Sequence, residues 1–164
     1  MIGACMSEYR HDPVTGQWVI IARNRGERPD EFAETIWERV SGDCPFCAGR
    51  EAETPPEVAR YQLRRGQRWQ VRIVPNKYPA VTTSAPPLEA SLSLQAHSGF
   101  GVHEVVIESP EHVTSLTELT ADAVTLVFRA YADRLAALRA RGDLAYGVVF
   151  KNVGASAGAS ARGR

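Results

Sequence analysis

One stretch of helical periodicity limits the folds open to this chain more than any other feature. It opens at Thr120 and closes at Gly142, with Ala121, Val124, Val127, Phe128, Tyr131, Leu135 and Leu138 on one stripe. Thr120 is a good N-cap, Asp122 suits the first turn, Arg139 and Arg141 suit the last, and Gly142 ends it. At about 1.5 Å per residue such a helix is roughly 30 Å long. Elsewhere the apolar pattern is strand-like. Trp18-Val19-Ile20-Ile21-Ala22 follows the turn chemistry of Asp12-Pro13-Val14-Thr15-Gly16 and reads as a buried strand. Trp69-Gln70-Val71-Arg72-Ile73-Val74 alternates and reads as a half-buried strand, which Pro75 ends because proline cannot donate to a ladder. Residues 102–108 alternate again, with His103, Val105 and Ile107 on one face and Glu104 and Glu108 on the other. Residues 82–99, rich in Ser, Ala, Pro and Gly, read as a long loop, and residues 144–151 as a last strand. Strands, then one helix, then a strand predict an α+β fold with an antiparallel sheet, not alternating βαβ units.

The chain has 164 residues, enough for one domain over 1–164 with a real core, or for part of a larger one. Apolar residues are 44% and charged residues 23%, which excludes global disorder, collagen and a disulfide scaffold. Nineteen Lys and Arg balance nineteen Asp and Glu, so binding of nucleic acid or a membrane surface by bulk charge is not expected. A local cluster of arginines aimed at a small anion remains open. The apolar runs are too short to span a bilayer, and residues 1–7 lack the basic-then-apolar pattern of a secretion signal. Three cysteines cannot all pair within one chain, and a reducing, cytoplasmic setting is expected.

Three motifs carry chemistry. Cys44-Pro45-Phe46-Cys47 places two thiolates where one tight turn can bring both to about 2.3 Å from a tetrahedral ion. Ser41-Gly42-Asp43 before it and Ala48-Gly49-Arg50 after it favour a knuckle over a redox pair, which would follow a strand and open a helix. His97, His103 and His112 are the candidates for a third ligand. His112 sits just past a strand end, where loops place ligands. Arg23, Arg25 and Arg28 follow the first strand, and guanidinium forks bind phosphate oxygens bidentately. Asn152-Val153-Gly154-Ala155-Ser156-Ala157-Gly158-Ala159-Ser160 lets backbone N–H groups approach an anion, although it matches neither the P-loop nor GxGxxG.

These motifs occur in a fixed order with Asp12-Pro13-Val14-Thr15-Gly16-Gln17-Trp18-Val19, Arg25 with Arg28-Pro29, Pro75-Asn76-Lys77-Tyr78-Pro79, Glu108-Ser109-Pro110-Glu111-His112 and Lys151-Asn152. Over residues 9–160 the chain resembles the amino-terminal half of the galactose-1-phosphate uridylyltransferase family, of the histidine-triad-like superfamily. The resemblance implies an antiparallel half-barrel sheet with helices packed on one face, here incomplete. It implies exchange between UDP-glucose and a hexose 1-phosphate through a covalent uridylyl-histidine, with ping-pong kinetics. It further implies zinc held by Cys44, Cys47 and His112. Arg25 and Arg28 would lie near the nucleotide, and Asn76 and Lys77 at its uridine end, where the family often has aspartate at the second position. Asn152, Gly158 and Ser160 would hold the phosphates. Family members dimerise, and a lone half is expected to self-associate.

The family's loop runs on to His-x-His-x-Gln, which supplies the fourth metal ligand and the nucleophile. Here Ser160-Ala161-Arg162-Gly163-Arg164 follows, with Gly163 at the metal position. None of His11, His97, His103 and His112 matches the nucleophile. No catalytic residue is therefore assigned, and these residues are expected to lack transferase turnover. An adenylyl-transferring relative and a zinc-stabilised nucleotide-binding module without catalysis remain alternatives.

Overall fold

In the computed structural model the described residues are 7–22, 25, 26, 44–85 and 96–152. They hold two three-stranded sheets and one α-helix, so the expected antiparallel α+β class is borne out. The chain divides into two compact units, one of Met1–Pro29 with Pro75–Glu104 and the other of Asp30–Val74 with Val105–Arg164.

The first unit is built on β1 (Glu8–His11), β2 (Trp18–Ile21) and β5 (Ala96–Ser98), in the order β2-β1-β5. Both pairings are antiparallel, with His11 opposite Trp18 and Tyr9 opposite both Ile20 and His97. The β1–β2 turn closes on Asp12. Its carboxylate accepts from Thr15 Oγ1 (2.6 Å) and the Val14 N–H (2.9 Å), and the Thr15 hydroxyl holds it below the ordinary carboxylate value. Gly16 takes the left-handed φ of 70° that the turn requires. Two expectations are corrected here. β2 forms but is not buried: Trp18, Val19 and Ile20 are each more than 40% exposed, because β2 is an edge strand of a small sheet. The expected loop over 82–99 contains β5, whose three residues become a strand only by pairing with β1.

The second unit centres on β4 (Val71–Pro75), between β3 (Ala59–Tyr61) and β6 (Glu104–Ile107). β4 is buried on both faces, not half-buried, since Val71, Arg72, Ile73 and Val74 are all at most 2% exposed. One face meets α1 (Ala121–Arg139) through Val71, Val127 and Ala130. On the other, Val74 packs with Trp69 and Ile107. Arg72 survives burial because its Nε donates to Glu57 Oε2 (2.7 Å), its Nη2 donates to Thr54 Oγ1 (3.1 Å), and its guanidinium lies over the Trp69 ring. Thr120 caps α1 as expected, accepting from the Ala123 N–H. The buried stripe is turned from the expected one: Ala123, Val127 and Ala130 face inward while Phe128 is 57% exposed. Small residues at that spacing let the helix approach the sheet. Residues 144–152 join no strand among the described residues, and Tyr146, Val148 and Phe150 stand exposed.

Candidate functional site

The cysteine turn lies in the second unit. The Cys47 N–H donates to Cys44 O (3.2 Å), which closes the knuckle, and Phe46 and Ala48 bury against the Trp69 cluster. The Ala48 N–H donates to Pro110 O (2.8 Å), tying the knuckle to the loop after β6 that carries His112. Glu51 braces the far side. It accepts from the Gly49 N–H (2.9 Å) and from Trp69 Nε1 (2.7 Å), and the indole bond holds its carboxyl below the ordinary value.

The ligand atoms of Cys44, Cys47 and His112 all lie within 4.8 Å of one another, with Cys47 Sγ 3.9 Å from His112 Nδ1. A tetrahedral ion with Zn–S bonds near 2.3 Å and Zn–N bonds near 2.0 Å needs donors about 3.5–3.8 Å apart. The three residues therefore fit a metal ion. A cavity of about 10 Å³ between them and Val105, Ile107 and Ser109 is ion-sized. Cys44 is buried; Cys47 and His112 are partly so. The other two ligand candidates lie elsewhere. His97 stacks on Trp18 with centroids 5.1 Å apart, and His103 belongs to the turn described next.

That turn follows β4 in the first unit. Pro75 ends the strand, and the Asn76 N–H donates to His103 O (2.9 Å). Asn76 Oδ1 accepts from the Tyr78 N–H (2.8 Å), an Asx turn. Arg25 Nη1 donates to Tyr78 O (3.0 Å), which brings Arg25 to the turn that carries Asn76 and Lys77, across 53 residues of sequence. Lys77 is exposed, its ammonium 5.9 Å from the Tyr78 ring centre. His103 is the member that sequence reasoning did not place. Its Nδ1 accepts from the Ala80 N–H (2.8 Å), and its Nε2 lies 3.2 Å from Asn76 Nδ2. Burial, then the charge of Arg25, push its pKa below the ordinary 6.5. No local spacing announces this contact, since 27 residues separate the partners.

Of the expected phosphate-holding residues, Asn152 is exposed at the end of an extended segment, while Arg28, Gly158 and Ser160 lie outside the described residues. The neighbouring Lys151 donates to Glu108, which is 5% exposed and also accepts from the Tyr131 hydroxyl. Burial and that carboxylate keep Tyr131 protonated far above its ordinary range.

The sequence matches the family described as galactose-1-phosphate uridyl transferase, N-terminal domain, over residues 4–162. It is 38% identical over 160 residues to the ADP-glucose phosphorylase of Arabidopsis thaliana, covering 93% of this chain and 45% of that protein. It is 26% identical over 157 residues to the galactose-1-phosphate uridylyltransferase of Thermotoga maritima, covering 94% and 43%. A solved uridylyltransferase structure matches at TM-score 0.67 and 29% identity, over 94% of this chain and 42% of that one. The crystal structure of the Arabidopsis thaliana ADP-glucose phosphorylase with bound ADP-glucose matches at TM-score 0.60 and 35% identity, over 96% and 46%. The chain thus spans a little under half the length of these relatives.

Proposed function

The chain belongs to the galactose-1-phosphate uridylyltransferase family, a family of nucleotidyltransferases, and from that membership we propose that it serves a sugar-nucleotide enzyme that moves a nucleotidyl group between a sugar nucleotide and an anionic acceptor. The observation that carries this reading is the convergence of Arg25 on the Asn76–Tyr78 turn. A cation and amide donors meet there on backbone that the Asx turn makes rigid. Arg25 supplies charge toward the phosphates, and Asn76 and Lys77 meet the nucleoside end. By the family resemblance alone, Arg28, Asn152, Gly158 and Ser160 are assigned to the phosphate oxygens. Adenylyl is the favoured group, because the identity to an ADP-glucose phosphorylase is 38% against 26% to a uridylyltransferase. Transfer from UDP-glucose to a hexose 1-phosphate, which the motifs resemble, is the second reading.

We assign zinc to Cys44, Cys47 and His112, since two thiolates and an imidazole are the donors that ion prefers. When bound, zinc supplies a structural cross-link between knuckle and loop. Thiolates kept reduced suit a cytoplasmic setting. Among the described residues no helix is long and apolar enough to cross a membrane.

Covalent transfer requires a nucleophile, and none of the chain's four histidines matches the family's nucleophilic position. His112 joins the cysteines, both ring nitrogens of His103 have neighbours, and His11 and His97 pack on Trp18. These residues alone therefore bind sugar nucleotide without turning it over. Titration calorimetry with ADP-glucose and UDP-glucose is the test. We expect both to bind, ADP-glucose more tightly, and Arg25→Ala to weaken each. The reverse order replaces the adenylyl reading with the uridylyl one. No heat from either ligand, or label retained on the chain after incubation with α-phosphate-labelled nucleotide, overturns the proposal.

A further inference from the structure

The ring of His103 has one nitrogen spoken for. The Ala80 backbone N–H can only donate, so at 2.8 Å it requires a lone pair on Nδ1. A neutral imidazole with a lone pair on Nδ1 carries its proton on Nε2. Asn76 is fixed by the same kind of reasoning. The Tyr78 N–H donates to its Oδ1 at 2.8 Å, so the group turned toward the ring is the Nδ2 amide, itself a donor. Two N–H groups, His103 Nε2–H and Asn76 Nδ2–H, therefore face one another across 3.2 Å. Neither can accept from the other. Both residues are only partly buried. The cost of two unmatched donors is relieved when one oxygen lone-pair centre accepts from both.

We infer that His103 Nε2–H and Asn76 Nδ2–H together form a donor pair that binds one oxygen acceptor of the nucleotide, and that His103 is thus a ligand-contacting residue of this turn. The inference rests on the reading that the Asn76 turn meets the nucleotide. It adds a residue and a required tautomer to that reading. The ring also holds the turn by accepting from the Ala80 N–H, beside the backbone bond from the Asn76 N–H to His103 O at 2.9 Å. The ligand role must therefore be separated from the positioning role.

Two substitutions separate them. In His103→Asn the side-chain oxygen can replace Nδ1 as acceptor for the Ala80 N–H, but nothing replaces the donor at Nε2. In His103→Gln the longer amide can place a donor near the Nε2 position. Calorimetric titrations on the whole chain with ADP-glucose, ADP and adenosine give the affinities, and amide exchange at Ala80 reports the turn. We expect His103→Asn to keep Ala80 protected and to bind ADP-glucose about 3–10-fold more weakly, the range of one neutral hydrogen bond. His103→Gln should recover part of that loss. A loss of the same size with adenosine puts the acceptor on the nucleoside, and a loss seen only with ADP and ADP-glucose puts it on the diphosphate. Long-range nitrogen–proton spectra of the ring should show the Nε2–H tautomer. If Arg25→Ala and Asn76→Ala weaken binding while His103→Asn does not, the inference fails and the reading of the turn stands. If the ring carries its proton on Nδ1, the inference also fails alone. If the wild-type chain binds none of the three probes, reading and inference fall together.

Discussion

At the scale of single residues, the Cys44, Cys47 and His112 cluster makes the strongest demand. Cys44 is buried with its sulfur close to a second thiol and an imidazole. Such a group either holds an ion or leaves polar donors packed together for little gain. Cys44→Ser and His112→Ala are expected to reduce bound zinc, measured by elemental analysis of protein purified without chelator, and to lower the melting temperature together. Unchanged zinc in Cys44→Ser would refute the assignment. The cysteine pair was legible from its spacing alone, because a four-residue turn is local. Spacing alone left three candidate histidines, of which the strand-end position and the resemblance favoured His112, and the fold brings it to Cys47 across 65 residues. His103 was illegible for the complementary reason. Period-two alternation describes the face on which a side chain lies, not the backbone N–H that approaches it from a distant turn.

Elements tell a similar story. The helix was readable because cap, stripe and stop signals agree within one segment, yet its inward face was set by the sheet it meets. Small Ala123 and Ala130 pack there, and Phe128 does not. Strands β1, β3 and β5 hold three or four residues each and have no period to read. β4 was misread as half-buried because Arg72 looked like a solvent position. Glu57 and Thr54 take two of that guanidinium's donors under the sheet and Trp69 lies against its face, while Nη1 is buried without a partner. The joint between α1 and the end of β6 is also polar: Glu108 takes the Tyr131 hydroxyl from the helix and the Lys151 ammonium from the segment beyond it. Tyr131→Phe removes one bond and should cost about 1–2 kcal/mol. Glu108→Ala strands the Tyr131 hydroxyl and returns the solvent-accessible Lys151 ammonium to water, and should cost about 2–3 kcal/mol. Urea melts give both values, and a Glu108→Ala cost below that of Tyr131→Phe would show that the carboxylate does not hold the joint.

At the scale of the whole molecule, apolar surface is distributed unevenly. Residues 144–151 were expected as a strand from their apolar content, but a strand needs a neighbour to pair with, and none is supplied among the described residues. Tyr146 is left 80% exposed, and Val148 and Phe150 are each 68% exposed. Contiguous apolar side chains on an extended backbone invite association. We predict species larger than a monomer in sedimentation velocity, shifted toward monomer by Val148→Ser with Phe150→Ser. A monomer at all concentrations would refute this. The bond from the Ala48 N–H to Pro110 O bears on how the chain comes together. It joins two segments whose meeting closes a loop of some 65 residues between Cys47 and His112, at an entropic cost of roughly 4 kcal/mol. The two thiols are neighbours in any conformation that keeps their short turn, so they can capture an ion early. The imidazole arrives only once β4 and β6 lie side by side. Completion of the three-residue cluster therefore waits on that pairing, and an ion already held by the thiols would reward the chain for closing this long loop.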